Sequence, residues 1–202
     1  MLKQHKQTHY ANDFIRGWYL NNDQLCDDLI EYFNSSEDYR SGTVGDNEIV
    51  KELKDSTDVT LEDSQVAFDY FSNLQKAVDE YIKVYPYANA WSPWRVLEGT
   101  NIQRYTPNQG YHAWHAERAT DVEPNVSRHL VFMTYLNDVD VGGETEWFHQ
   151  DLKVKPEKGL TIIWPSDWTF THRGIPAPHE TKYIITGWFS YTTNTEGENN
   201  GN

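Results

Sequence analysis

The second half of the chain consists of short apolar segments separated by turn residues. Strand-like segments occupy 94–105, 111–117, 127–136, 144–149, 152–155, 159–164, 168–172 and 181–191. Turn residues lie between them, as at Pro107-Asn108, Gly142-Gly143 and Lys158-Gly159. Many short strands with frequent turns are typical of β-sandwiches and barrels. We therefore expect a double-stranded β-helix, or jelly roll, over about residues 91–191.

The first half of the chain carries helical patterns instead. Asn22 and Asp23 offer an N-cap, and apolar residues follow at helical spacing up to Phe33, which predicts a helix near 23–34. A second helix is predicted from near Leu61, with the acidic residues Glu62 and Asp63 in its first turn, to just before Pro86. The fold class is thus α+β and mainly β, with the N-terminal helices packed against the β core.

The segment 35–63 between the two predicted helices is polar. It is rich in Ser, Asp, Gly and Glu, and the apolar residues between Val44 and Leu53 suggest one short strand. Long polar loops in compact domains are often functional. We expect this segment to be mobile and to act as a lid over the substrate.

The length and the charge of the chain limit its organisation and its partners. With 202 residues we expect one domain, 1–202, with a helical part over about 1–90 and a disordered tail at 192–202. The net charge of -14 disfavours binding to nucleic acid. No apolar run is long enough to span a membrane.

The single cysteine, Cys26, fits a reducing compartment, so a cytoplasmic location is expected. Its side chain is predicted to be a small buried hydrophobe.

His115 and Glu117 are the strongest candidates for a metal site. In an extended segment, residues at i and i+2 point to the same face, so both side chains can reach one point. Such a pair alone is common by chance on exposed strands. With His172 as a third ligand, two imidazoles and one carboxylate give the facial arrangement that holds non-haem Fe(II) in oxygenases.

Lys182 opens an apolar strand that continues to Tyr191. A lysine that points inward without a partner is costly, so a carboxylate of a ligand would explain its place. The alternative is a lysine at a strand end whose ammonium reaches water.

Several other residues are candidates with a structural alternative. His112 and His149 are predicted to be surface or loop histidines rather than ligands, and His129 to be structural. Trp91 and Trp94 line a substrate groove or fill the core, whereas for Trp114, the neighbour of His115, we favour the groove.

Landmarks in a fixed order resemble one enzyme family. They are Tyr105 in Gln103-Arg104-Tyr105, the pair His115 and Glu117, the strand Arg128 to Asn137, the turn Gly142-Gly143-Glu144-Thr145, His172, Lys182 ten residues later, and Trp188. Over about residues 95–191, with a weaker match in the two helices, the chain resembles the prolyl 4-hydroxylase branch of the Fe(II)- and 2-oxoglutarate-dependent dioxygenases, and within it the small bacteriophage enzymes.

This resemblance implies a role for each landmark. His115, Glu117 and His172 would be the catalytic metal ligands for Fe(II), and Lys182 would pair with the far carboxylate of 2-oxoglutarate. Further cofactor-binding residues would be Tyr105, Tyr135 and Thr145, through their hydroxyls, and Trp188, as a wall of the site. Arg128 and Trp114 are candidates for substrate contact. The cofactors would be Fe(II), 2-oxoglutarate as co-substrate, O2 and, as an accessory, ascorbate.

The implied reaction couples oxidative decarboxylation of 2-oxoglutarate, to succinate and CO2, with hydroxylation of a C–H bond. The expected substrate is a prolyl residue of a peptide or protein. Alternatives are another side chain, a free amino acid or a modified nucleotide, or a non-catalytic jelly-roll binding module. The location would be the host cytoplasm if a phage encodes the protein, and no oligomeric state is predicted. One residue departs from the family, because Glu117 stands where its commonest acid is Asp.

Overall fold

The computed structural model of the protein describes residues 2–5, 14–45 and 48–192. Within these ranges the chain is mainly β, with two α-helices, α1 (Asp23–Ser35) and α2 (Gln65–Val84). The strands are β1 (Lys3–Gln4), β2 (Arg16–Tyr19), β3 (Arg40–Ser41), β4 (Thr57–Thr60), β5 (Trp94–Val96), β6 (Asn101–Tyr105), β7 (Arg128–Tyr135), β8 (Thr145–Trp147), β9 (Leu152–Val154), β10 (Leu160–Pro165), β11 (His172–Gly174) and β12 (Lys182–Tyr191). The predicted tail lies almost wholly outside the described residues.

The described strands form two antiparallel sheets. The larger sheet has the order β1-β2-β10-β7-β12-β6-β4-β3, with β5 also paired to β12, and the smaller has the order β11-β8-β9. Strand β12 lies between β7 and β6, and its first residue, Lys182, is opposite Tyr105. This arrangement is consistent with the jelly roll expected from the strand pattern.

Both helices begin at a side-chain cap. The Asn22 side chain accepts a hydrogen bond from the Leu25 N–H at 3.2 Å, and Ser64 accepts one from Ala67 at 3.2 Å. Helix α2 therefore begins at Gln65, four residues later than the start predicted near Leu61. The reason is that the Leu61 N–H still donates to Thr100, extending the sheet pairing of β4.

Two hydrophobic clusters lie on opposite sides of the large sheet. One joins the helices to the sheet and includes Phe33, Leu74, Phe132 and Ile185. The other fills the space between the two sheets with large side chains, among them Tyr105, Met133, Tyr135, Trp147, Val154, Leu160, Trp164 and Ile184. Each large apolar side chain buried in this way stabilises the fold by about 1.5–3 kcal/mol. Cys26 is fully buried in the helical cluster, as predicted.

Four local strand predictions are wrong, the first being 94–105, which forms the two strands β5 and β6 rather than one. Segment 111–117 is a loop with isolated bridges at Tyr111 and His115, because its two ends pair with different parts of the chain. The strand suggested between Val44 and Leu53 is absent from the described part of that segment, and the pairing is made by β4 instead. In 168–172, Trp168–Phe170 is a 3-10 turn and a strand begins only at His172.

The described part of the chain contains no helix that is long and apolar enough to cross a membrane.

Candidate active site

Backbone pairing between a loop and the small sheet brings His115 and His172 together. The His115 N–H donates to the His172 carbonyl at 3.0 Å, and the His172 N–H donates back at 2.9 Å. Glu117 follows on the same side of the loop. One ligand atom from each of His115, Glu117 and His172 lies within 4.8 Å of the others. The three residues that the sequence singled out therefore converge on one point, although the loop is not the strand that the i, i+2 argument assumed.

Both imidazoles are held by backbone carbonyls. His115 Nδ1 lies 3.0 Å from the Ala113 oxygen, and His172 Nδ1 lies 3.0 Å from the Phe170 oxygen. A carbonyl can only accept, so each Nδ1 carries the proton and each Nε2 has a free lone pair. Burial, and the neighbouring His115, lower the pKa of His172, which favours the neutral form that ligates metals.

Glu117 supplies the negative charge of the cluster. Burial alone would raise the pKa of its carboxyl, but the neighbouring imidazoles of His115 and His172 outweigh this and hold the pKa well below its usual range. Its Oε1 lies 3.5 Å from His115 Nε2 and 3.4 Å from His172 Nε2. Two neutral imidazoles and one carboxylate, all half-buried or buried, form a donor set that fits Fe(II).

Aromatic rings surround the two histidines. The Tyr111 ring stacks on His115 with centroids 3.7 Å apart and an angle of 12°. Trp164 meets His172 edge-on at 5.1 Å. These rings limit the movement of the ligands and keep water from one side of the cluster.

Lys182 lies in the same cleft and is 3% exposed. Its ammonium donates to the Gly143 carbonyl at 2.9 Å and lies 5.0 Å from the centre of the Tyr105 ring. No carboxylate among the described residues forms an ion pair with it. Burial therefore lowers the pKa of Lys182 to about 8, and Glu144 only partly opposes this shift. A buried cation of this kind suits an anionic group.

The predicted cofactor-binding hydroxyls lie near Lys182 but are differently engaged. Tyr105 lines the cleft and donates to Gln103 at 2.8 Å. Thr145 also lines the cleft, whereas Tyr135 lies behind it and donates to the Thr145 hydroxyl at 2.7 Å. Tyr135 therefore supports Thr145 rather than facing the cleft.

Arg128 and Trp188 both contact Glu117. The Trp188 indole N–H donates to Glu117 Oε2 at 2.9 Å, and Arg128 donates to the Glu117 carbonyl at 3.0 Å. Arg128 also pairs with Glu98, which sequence reasoning missed because thirty residues separate the two in the chain. Trp114 lies outside the cleft lining, where the Arg173 guanidinium lies 4.4 Å from the centre of its ring.

The remaining candidates lie away from the cluster. Within the described ranges, neither His112 nor His149 belongs to a group of metal-ligating residues. His129 hydrogen-bonds to the Ala88 carbonyl at 2.8 Å, a structural contact. Trp94 packs edge-on against Phe189, and Trp91 is 81% exposed.

A cleft of about 740 Å³ contains the cluster and Lys182 and extends beyond them. Part of its wall comes from the segment after α1, through Arg40, Thr43, Val44 and Lys54. Lys54 forms a buried ion pair with Asp58 at 3.1 Å, and neither residue was a candidate from sequence. The Leu53 carbonyl accepts from His112 at 2.7 Å, which ties this segment to the loop that carries His115. Its role as a lid stays a prediction.

Comparisons with known proteins agree with this geometry. Residues 100–190 match the family model of the 2OG-Fe(II) oxygenase superfamily, where 2OG is 2-oxoglutarate. A search of curated proteins finds no match.

Solved structures of low sequence identity share the fold. A viral collagen prolyl hydroxylase from Paramecium Bursaria Chlorella virus-1, in its 2OG complex, is 20% identical, with a TM-score of 0.64 over 90% of this chain and 98% of that chain. A Pseudomonas putida prolyl-4-hydroxylase is 13% identical, with a TM-score of 0.68 over 91% and 95%. A Trichoplax adhaerens prolyl hydroxylase, in complex with a hypoxia inducible factor peptide fragment, is 16% identical, with a TM-score of 0.69 over 89% and 84%.

The family match covers both halves of the site, from the strand of Tyr105 to the strand of Trp188. Residues 100–190 therefore match a 2OG-Fe(II) oxygenase domain, and the chain has a prolyl hydroxylase-like fold. It is a 2-oxoglutarate-dependent dioxygenase, as the order of the landmarks predicted, and its cofactors are Fe(II), 2-oxoglutarate and O2.

Proposed function

We propose that the protein hydroxylates a prolyl residue of a peptide or protein substrate in the cleft beside the three metal-ligating residues. The observation that carries this proposal is the extent of the cleft. It is lined by the ligand cluster and the buried Lys182, and it extends beyond them to Arg40, Thr60 and Glu123. A cleft of about 740 Å³ is large enough for the small co-substrate and for one residue of a longer chain.

The residues divide the work between metal, co-substrate and solvent exclusion. His115, Glu117 and His172 would hold Fe(II) through the two Nε2 atoms and one carboxylate oxygen. Fe(II), with 2-oxoglutarate and O2, supplies the oxidising chemistry. Lys182 would bind the far carboxylate of 2-oxoglutarate, with Thr145 and Tyr105 next to it. Tyr111 and Trp164 exclude water around the histidines.

The similarity to hydroxylases that act on proline supports the peptide substrate. One solved neighbour is a prolyl hydroxylase in complex with a peptide fragment. The cleft extends beyond the ligand cluster and Lys182, which leaves room for a residue of a peptide beside the co-substrate. We place the enzyme in a reducing compartment, such as the cytoplasm of a phage host, because its one cysteine, Cys26, is buried and unpaired.

The test is a panel of proline-containing peptides, each paired with a peptide in which alanine replaces the proline. The purified protein, with Fe(II), 2-oxoglutarate and O2, should form succinate faster with a subset of the proline peptides, and those peptides should gain one oxygen atom by mass spectrometry. Equal succinate formation with both members of every pair, and no added oxygen, would contradict prolyl hydroxylation and leave the other side-chain substrates.

A further inference from the structure

The two carboxylate oxygens of Glu117 have different surroundings. Oε1 faces the imidazoles of His115 and His172, at 3.5 Å and 3.4 Å from their Nε2 atoms. Oε2 points the other way and accepts a hydrogen bond from Trp188 Nε1 at 2.9 Å. One oxygen is therefore directed to the ligand cluster, and the other is engaged by the protein.

Arg128 stabilises the same arrangement. Its Nη1 donates to the Glu117 carbonyl at 3.0 Å and lies 3.5 Å from Oε2. Its guanidinium lies 3.7 Å from the centre of the Trp188 ring, a stacking distance. The backbone and the side chain of Glu117 are thus both held by residues of the large sheet.

Glu98 fixes Arg128 in turn. Arg128 Nε donates to Glu98 Oε1 at 2.9 Å, and Nη2 contacts Oε2, so the pair is bidentate. The side chains of Arg128 and Glu98 are 12% and 14% exposed, which makes this pair stiffer than a surface salt bridge. Glu98 also neutralises Arg128, which would otherwise compete with a metal ion for the charge of Glu117.

These contacts restrain a side chain that is more flexible than aspartate. Its side chain has one methylene and one rotatable bond more than aspartate, so an unrestrained glutamate loses more conformational freedom when it binds. An unrestrained carboxylate could also present both oxygens to a metal and occupy a position that the co-substrate needs. The hydrogen bond from Trp188 to Oε2 reduces this loss of freedom and keeps the second oxygen away from the metal.

We propose that Trp188, Arg128 and Glu98, called here the carboxylate clamp, are positioning residues that make Glu117 a one-oxygen metal ligand. The site is therefore matched to glutamate, and aspartate at position 117 binds metal more weakly, although aspartate is the commoner acid in the family. The shorter side chain cannot reach the cluster and the Trp188 N–H together. The inference rests on the metal site of the proposed function.

Metal binding without turnover tests the clamp. We would titrate Co(II) anaerobically into the apoprotein and into E117D, W188F and the double variant, following the visible spectrum of Co(II). The W188F variant keeps an aromatic ring and loses only the donor. W188F should weaken Co(II) binding by about tenfold, in the range typical of partners outside the ligand set, and E117D should have a similar effect because it loses the same contact. The double variant should bind Co(II) only slightly more weakly than either single variant, because aspartate at position 117 has no contact with Trp188 to lose.

The matched control is W91F, which changes an exposed tryptophan outside the cleft and should leave Co(II) affinity unchanged. E98Q should give a smaller loss than W188F, and thermal unfolding would show that each variant is folded. The Co(II) spectrum of W188F should also change, because the released Oε2 reaches the metal.

Two results separate the clamp from the function. The carboxylate clamp is contradicted, and the metal site is not, if E117D binds Co(II) as tightly as the wild type. The same holds if the losses of affinity in the two single variants multiply in the double variant. If the wild type binds no Co(II), the metal site and the proposed function fail together.

Discussion

The two ends of the active-site cleft are built in opposite ways. At the proposed metal end, His115, Glu117 and His172 lie against one another, and each side chain also has a hydrogen bond to a carbonyl or an indole. At the co-substrate end, Lys182 is buried with a carbonyl and a ring face as its described neighbours, and no carboxylate. The proposed metal end is preorganised, whereas the proposed co-substrate end has a buried cation with no carboxylate partner among the described residues.

This difference shows that the fold need not stabilise every part of a site to the same degree. Rigid ligands favour a metal with one geometry. An unpaired buried cation costs stability but gives a strong preference for an anionic ligand. The predictions below test whether metal binding and co-substrate binding depend on different residues.

The largest effect is expected at the metal end. His172→Ala removes one of three ligands and should weaken Co(II) binding by more than about 100-fold, because even partners outside the ligand set change affinity by about 10–100-fold. The measurement is anaerobic titration of the apoprotein. His149→Ala, at an exposed histidine outside the cluster, should bind as the wild type does, and an equal loss in both variants would show that the cluster is not the metal site.

The next effect separates the two ends. Lys182→Ala should weaken 2-oxoglutarate binding by about 100-fold, or about 2.7 kcal/mol, because it removes the partner of a buried carboxylate. Co(II) affinity should be unchanged. Calorimetry on the Mn(II)-loaded protein gives the affinity, with Lys76→Ala on the exposed face of α2 as control. A parallel loss of metal binding would contradict the separation.

Protonation of Lys182 gives a pH dependence. Its pKa is lowered to about 8 by burial, so the free protein loses this charge as pH rises through that value. Because 2-oxoglutarate binds the charged form, its dissociation constant should rise about tenfold per pH unit above pH 8 and stay flat below it. Binding isotherms between pH 6.5 and 9.5 measure this. A flat profile throughout would show that Lys182 is not the anion-binding group.

The smallest effect is expected behind the co-substrate end. Tyr135→Phe removes the hydroxyl that donates to Thr145 at 2.7 Å and accepts from the Thr145 N–H at 3.1 Å. Stability should fall by about 1–3 kcal/mol in denaturant unfolding, because a buried donor loses its partner. Affinity for 2-oxoglutarate should fall only a few-fold, through the displaced Thr145. A loss as large as that of Lys182→Ala would mean that Tyr135 contacts the co-substrate directly.

Sequence reasoning succeeded where short spacing or ordered landmarks carried the information. Helix α1 and most strands of the core follow from local patterns, and His115 and Glu117 are close in the chain. The roles of His172 and Lys182 followed from the family resemblance, because their positions in space are set by pairing of β11 with β8 and of β12 with β6 and β7.

The contacts that sequence reasoning missed depend on tertiary structure alone. Glu98 meets Arg128 only because the turn between β5 and β6 lies beside the start of β7. Tyr111 stacks on His115 because their loop is not extended, a conformation that the strand pattern did not predict. Lys54 reaches the cleft through pairing of its backbone with Tyr111, and no local pattern signals this contact.

The most direct test of the central claim is anaerobic titration of Fe(II) and 2-oxoglutarate into the apoprotein, followed by visible absorption. The account predicts a metal-to-ligand charge-transfer band in the wild type, no band in His172→Ala, and in Lys182→Ala a band that appears only at much higher 2-oxoglutarate concentration. If the wild type gives no band, or if Lys182→Ala titrates as the wild type does, the assignment of a metal end and a co-substrate end to this cleft is wrong.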